Sequence, residues 1–326
     1  MNTLLRGLSP GGHLVLFVTL MLTCMGLGSV TAIYFGFVVF DIPFEAAAGI
    51  LTNPQPENAE ALIWMNNISQ LFGFALPVML FFPVFGGKNI HHLLLKPGGL
   101  LMVLTPLLIF FANGIIDLSG QFNKWLIPAN SWLENQIKPT EDLMEKMTGL
   151  FIGNDAMVPP LLAFISIAVV PAICEELVFR GVLQPLFAKI TRNIHVAIWL
   201  TAILFSLIHM QFYGFLPRII MGALLGYMVV WSGTLWAAII AHFFNNAFAF
   251  LMFRHYGSAE MPEDSIANDL YFYVVSTMVF IILLRYYLKN SKWPWLSFEY
   301  LGVTNQPSVG ISKSDYNDSG NGGTTV

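Results

Sequence analysis

Residues 160–190 read PLLAFISIAVVPAICEELVFRGVLQPLFAKI, an apolar stretch that contains two adjacent glutamates. A transmembrane helix needs about 20 mostly apolar residues to cross a hydrocarbon core of roughly 30 Å. A carboxylate at that depth costs about 2.5–3.5 kcal/mol on insertion scales, so ionisable residues inside a membrane are candidates for function. Glu175 and Glu176 therefore point to a membrane protein with chemistry inside the bilayer.

The composition of the whole chain agrees with a membrane protein. Of its 326 residues, 56% are hydrophobic and only 10% are charged, whereas soluble domains average about 25% charged residues. The net charge is −4. The sequence contains no run of basic residues of the kind that would indicate nucleic-acid binding. The expected surroundings are the lipid bilayer, and nucleic acid is not expected as a partner.

Eight apolar segments are long enough to cross a bilayer. They predict an all-α fold, a polytopic membrane helix bundle of about eight transmembrane helices. The first run is too long for a signal-peptide core of about 7–15 residues, which indicates an uncleaved first span. Pro171 is expected to kink the fourth helix. The predicted spans are 13–40, 68–86, 99–118, 160–188, 194–212, 215–232, 234–253 and 270–288.

The spans divide the chain into four regions. Residues 1–156 form an N-terminal membrane region with three spans and two long outer loops, and residues 157–253 carry the polar motifs. Residues 254–304 hold the last span and its inner flank. The tail, 305–326, is rich in Ser, Gly, Asn and Asp and is predicted to be disordered.

The two long outer loops, 41–67 and 119–156, contain weakly amphipathic stretches at 60–68 and 132–150. Such stretches are expected to lie on the membrane surface.

Loop charge orients the bundle, because cytoplasmic loops carry an excess of Lys and Arg. With the N-terminus inside, ten of the 15 basic residues fall on the inner side. The prediction is that both termini are cytoplasmic, which agrees with an even number of spans. The inner residues are Arg6, Lys88, Lys96, Arg180, Lys189, Arg192, Arg285, Lys289, Lys292 and Lys313.

The fourth span places Glu176 and Arg180 four residues apart, hence on one helical face. Arg180 is expected to hold Glu176 ionised. Glu175 points about 100° away and lacks that partner, so burial would make it a stronger base. The alternative is a structural ion pair whose second carboxylate reaches the inner surface.

Two later spans carry further polar groups: His209 in one, and His242 with Asn246 in the other. His242 and Asn246 share a helical face and could both donate to an oxyanion, while Asn245 is turned away. Each group alone is explained by packing or by interhelical hydrogen bonds. Together they meet the needs of amide hydrolysis, with Glu175 and His209 activating water.

The ordered motifs Glu-Glu-x-x-x-Arg, Phe-x-x-x-His and His-x-x-x-Asn resemble the CAAX-protease and bacteriocin-processing family of intramembrane glutamic endopeptidases. That family includes the eukaryotic CAAX prenyl endopeptidase and bacterial lysostaphin-resistance-like proteins. The resemblance covers about residues 157–253.

The resemblance implies that Glu175 is the catalytic glutamate, supported by Glu176 and Arg180. It further implies that His209 assists the water, and that His242 and Asn246 form the oxyanion site. The implied substrate is a membrane-associated, prenylated or leader peptide, without a cofactor, and the implied location is a bacterial plasma membrane.

Other functions remain open at this point. A zinc protease could use Glu175, His209 and His242 as ligands, although the compact His-Glu-x-x-His signature is absent.

Cys174 could be a nucleophile, but a small buried hydrophobe is the simpler interpretation. A non-catalytic immunity or scaffold protein, or a transporter, would use the buried polar groups for binding or proton transfer; transporters usually show repeated halves.

The depth of His209 conflicts with a shared site. Counted from Ile194, this histidine lies near the outer end of its span, whereas Glu175 and His242 lie midway along theirs. The three side chains can meet only if the fifth helix is shifted or its neighbours are tilted.

Overall fold

A computed structural model describes residues 7–85, 99–153, 157–257 and 270–291. Every regular element in these ranges is helical, which confirms the all-α class. Within them, seven helices are long and apolar enough to cross a membrane, and one further apolar helix is shorter. The chain is therefore an integral membrane helix bundle. The tail predicted to be disordered, 305–326, lies outside the described residues.

The helices follow one another with few irregular connections. Three segments of π-helix interrupt longer helices at Leu71–Ala75, Ile165–Val169 and Phe179–Leu183. In chain order the α-helices are α1 Pro10–Phe40, α2 Ala47–Thr52, α3 Ala59–Gln70, α4 Leu76–Phe85, α5 Gly99–Trp125, α6 Trp132–Ile152, α7 Pro160–Phe164, α8 Val170–Val178, α9 Gln184–Thr191, α10 Ile194–Leu207, α11 Phe215–Ser232, α12 Leu235–Tyr256 and α13 Leu270–Asn290.

Each π segment ends two residues before a proline: Pro77, Pro171 or Pro185. A proline has no N–H to donate, and its ring crowds the carbonyl four residues earlier. A wider turn relieves that crowding without ending the helix. The kink expected at Pro171 thus takes the form of a widened turn.

The second span begins earlier than the sequence predicted. Helix α3 runs directly through the π segment into α4, so residues 60–68 belong to a membrane helix and the prediction of a surface stretch is wrong. Leu62 and Ile63 are fully buried in a cluster with Ile152 and Phe253. Partners from α6 and α12 bury these apolar side chains, and the sequence pattern of α3 alone could not reveal those partners.

The fifth span ends earlier than predicted. Helix α10 has 14 residues and is about 21 Å long at 1.5 Å per residue, shorter than the hydrocarbon core. Residues 208–214 form an irregular turn in which Met210 adopts a positive φ of 52°. The predicted range 194–212 is therefore wrong at its C-terminal end, and His209 lies in the turn.

Contacts between loops define one end of the bundle, here called the outer end. Arg254 at the end of α12 donates to the Ile152 carbonyl at 3.1 Å, and Lys146 donates to the Asn53 side chain at 2.9 Å. The stretch predicted at 132–150 is the helix α6, which packs against α3, α7 and α12. The two long loops of the N-terminal region therefore meet at this end of the bundle.

Candidate active site

A buried ion pair lies at the centre of the bundle. Arg180 Nη1 is 2.7 Å from Glu176 Oε1, and both side chains are fully excluded from solvent. The contact expected from their i, i+4 spacing is confirmed. Arg180 Nη2 also donates to the Gly222 carbonyl at 2.7 Å, so one guanidinium fixes Glu176 and ties the fourth span to α11.

His242 lies between the two glutamates. Its Nδ1 is 2.8 Å from Glu176 Oε1, and its Nε2 is 3.9 Å from Glu175 Oε2. Because an ionised carboxylate only accepts hydrogen bonds, the short contact requires the proton to be on Nδ1. Nε2 then faces Glu175, whose own Oε2 has no hydrogen-bond partner among the described residues.

The ring of Phe205 contacts three polar side chains of this region, those of His209, His242 and Arg180. Its centroid is 4.9 Å from that of His209 and 5.8 Å from that of His242, and the Arg180 guanidinium lies over the same ring at 4.9 Å. His209 Nδ1 contacts the Phe205 carbonyl at 2.7 Å. His209 therefore packs on the same ring as His242, although it follows the end of α10.

Asn246 lies one helical turn beyond His242 and faces the π segment before Pro171. Its amide donates to the Ile167 carbonyl at 3.3 Å. Ile167 is four residues before Pro171, which has no N–H to offer that carbonyl. The Asn246 side chain is thus anchored to backbone, and Asn245 donates weakly to it at 3.4 Å.

The structure therefore groups Glu175, Glu176, Arg180 and His242 directly. It brings His209 to them through Phe205, and it places Asn246 at the edge of this group. Cys174 is a buried free cysteine.

Two glycines support this site and were missed by the sequence reasoning. A Cβ on Gly222 would lie 3.2 Å from Ala202 Cβ, and a Cβ on Gly226 would lie 2.7 Å from Gln184 Oε1. The Gly226 carbonyl accepts from Gln184 Nε2 at 3.2 Å. The available signal was the Gly-x-x-x-Gly spacing, which is typical of close helix packing in membranes.

A zinc ion would need several grouped ligands. Across the described ranges, no three His, Cys, Asp or Glu side chains are close enough together to hold a metal ion. The zinc alternative, with Glu175, His209 and His242 as ligands, is left to the chelation experiment.

Residues 157–248 match the model of a protein family described as Rce1-like, type II CAAX prenyl endopeptidase. The match contains all three motifs and runs from just before α7 into α12. The match identifies this segment, and not the whole chain, as similar to the CAAX-protease family. No curated protein and no solved structure matched the chain.

The match confirms the resemblance drawn from the motifs, and the family model is that of an endopeptidase. Residues 1–156 lie outside the match. Side chains of that region nevertheless bond to the matched segment; they are Asn67, Asn123, Glu134 and Glu141 among the described residues.

Proposed function

We propose that this protein is a membrane-embedded endopeptidase that hydrolyses peptide bonds with a water molecule activated by Glu175. The observation that carries the proposal is the position of His242 between Glu175 and the Glu176–Arg180 ion pair. Among the described residues, no arginine is in hydrogen-bond contact with Glu175, and its Oε2 has no hydrogen-bond partner. A carboxylate placed in this way is available to a proton of water.

In the proposed reaction Glu175 takes a proton from water as the water oxygen attacks the carbonyl carbon of the peptide. The C–N bond then breaks, and the same proton passes from Glu175 to the departing nitrogen. One water is consumed, and an acid and an amine are released.

Glu176 and Arg180 act by holding His242. With Nδ1 donating to Glu176, the Nε2 side of the ring is directed to Glu175. A proton on Nε2 would let His242 donate to the oxyanion, together with Asn246 after its bond to Ile167 is released. Without that proton, Nε2 would accept from the attacking water beside Glu175.

His209 is assigned an assisting role, because its ring packs against the ring of Phe205 rather than against a glutamate. Proteolysis without a metal is part of the proposal. The proposed substrates are membrane-associated peptides, including prenylated C-termini and leader peptides. Both chain termini are proposed to be cytoplasmic, in a bacterial plasma membrane.

The test is turnover of a panel of membrane-associated peptides by equal amounts of purified, monodisperse protein, read by mass spectrometry. Glu175→Gln keeps the size of the side chain but removes the base, so turnover should fall about 10²–10⁴-fold. His242→Ala and Asn246→Ala should each lower it about 10²–10³-fold.

The control is Gln121→Ala, which removes a polar side chain from the outer end of α5, where Gln121 contacts α13. Cleavage by Glu175→Gln at the wild-type rate would refute the glutamate mechanism. A wild type that cleaves no peptide of the panel would favour the non-catalytic immunity or scaffold function.

A further inference from the structure

The turn at residues 208–214 carries His209 but has no regular structure of its own. Ser206 Oγ donates to the Phe215 carbonyl across its ends at 2.7 Å, and Arg218 on α11 donates to the Gln211 carbonyl at 2.6 Å and to the Gln211 side chain at 2.9 Å. Met210 sits within it at a φ of 52°, a region that non-glycine residues adopt rarely. A segment with few regular backbone bonds opens readily unless other groups hold it.

Asn123, near the end of α5, holds this turn with both ends of its amide. Its Nδ2 donates to the carbonyls of Phe212 at 2.8 Å and Tyr213 at 3.0 Å. Its Oδ1 accepts from the Leu216 N–H at 3.2 Å. Only 6% of Asn123 is exposed, so water cannot readily replace these three bonds.

A second contact from the same region reinforces the first. Glu141 on α6 accepts a hydrogen bond from the Tyr213 N–H at 3.0 Å, and Glu134 accepts one from the Tyr213 hydroxyl at 3.4 Å. The three residues, Asn123, Glu134 and Glu141, all lie outside the segment that matches the protease family.

We propose that Asn123 is a positioning residue for His209. The inference rests on the proposed function and extends it to the N-terminal region. Asn123 fixes the backbone of the turn, and the bond from His209 Nδ1 to the Phe205 carbonyl fixes the ring. Groups that take part in catalysis must be held within about 0.5 Å of their working geometry, and Asn123 supplies three of the hydrogen bonds that hold this turn.

The experiment compares Asn123→Ala and Asn123→Asp with the matched control Gln121→Ala in the purified full-length protein. Gln121 lies half a helical turn away and also donates two hydrogen bonds, but to Tyr273 and Asp117 rather than to the turn. Asn123→Asp keeps the oxygen that accepts from the Leu216 N–H and removes the N–H donors. Because it also preserves the size of the side chain, it serves as the test if the alanine variant does not fold.

Both Asn123 variants should lower kcat about 10–100-fold, as a displacement near 1 Å does, with KM changed less than about threefold. In a His209→Ala background the same substitutions should lower kcat less than about twofold further, because the two residues act as a unit. Gln121→Ala should stay within about twofold of the wild type in both backgrounds.

Hydrogen–deuterium exchange gives a readout that does not depend on cleavage. The amides of residues 208–216 should exchange faster in both Asn123 variants and at the wild-type rate in Gln121→Ala. Unchanged exchange in the turn, or kcat losses that add fully to that of His209→Ala, would overturn the positioning role.

These results separate the inference from the proposed function. A wild type that cleaves peptide while the Asn123 variants match it refutes only the inference. If the wild type cleaves no peptide, the proposed function is refuted. Asn123 is then a structural residue, whatever the hydrogen–deuterium exchange measurement shows.

Discussion

Replacing Arg180 tests whether the buried ion pair is needed for activity. Arg180→Ala removes the bond to Glu176 at 2.7 Å and the bond to the Gly222 carbonyl at 2.7 Å. Glu176 would remain fully buried without its cation. Breaking a buried pair in this way costs about 3–5 kcal/mol, so the variant should unfold at a clearly lower temperature.

Arg180→Lys separates charge from geometry. A lysine keeps the positive charge but has a single nitrogen, which cannot reproduce the planar fork of the guanidinium. It should hold either Glu176 or the Gly222 carbonyl, losing about 1.5–3 kcal/mol for the missing bond. Activity should recover only in part, because His242 is held by the same oxygen of Glu176.

The assay is thermal unfolding in detergent together with peptide turnover by equal amounts of each variant. Arg192→Ala is the matched control, because Arg192 is an exposed residue at the end of α9. It should behave like the wild type in both measurements. Wild-type stability and turnover in Arg180→Ala would refute the reasoning, since they would show that Glu176 needs no cation.

Three further predictions concern packing, metal and topology. Gly226→Ala should lower stability by about 1–3 kcal/mol through overpacking, measured by thermal unfolding against Gly26→Ala, a substitution in α1 at a site with no neighbouring atom within 4 Å; equal stability of the wild type and Gly226→Ala would contradict it. A zinc chelator should leave turnover unchanged, whereas loss of turnover restored by added zinc would favour a metalloprotease. Cysteines introduced at Arg192 and at Asn130 should react with an impermeant thiol reagent from the cytoplasmic and the opposite side respectively, and the reverse pattern would overturn the proposed orientation.

The sequence could predict those parts of the molecule that depend on spacing within one helix. The Glu176–Arg180 contact follows from a separation of four residues, and the helix count follows from the length of the apolar runs. The place of His242 between two glutamates depends on how α12 is rotated against α8. No pattern within either helix specifies that rotation.

The end of α10 at Leu207 was equally out of reach, because Ile208, Met210 and Phe212 continue the apolar run past the end of the helix. Partners distant in sequence, such as Asn123, hold the turn that follows. The widened turns before Pro77, Pro171 and Pro185 are a different case. The prolines stood in the sequence, and the effect of each on the carbonyl four residues earlier could have been derived.

The widened turns on either side of α8 also act as rotations. Each adds one residue to a helical turn, and one residue corresponds to about 100° around the axis. The glutamates therefore face a direction that a regular helix from Pro160 to Thr191 would not give them. In an alignment with a related sequence, a single-residue gap at 165–169 would then mean that the two carboxylates are rotated about the helix axis, not that the helix is shorter. A helical wheel drawn across that boundary would place the wrong residues on the lipid-facing side.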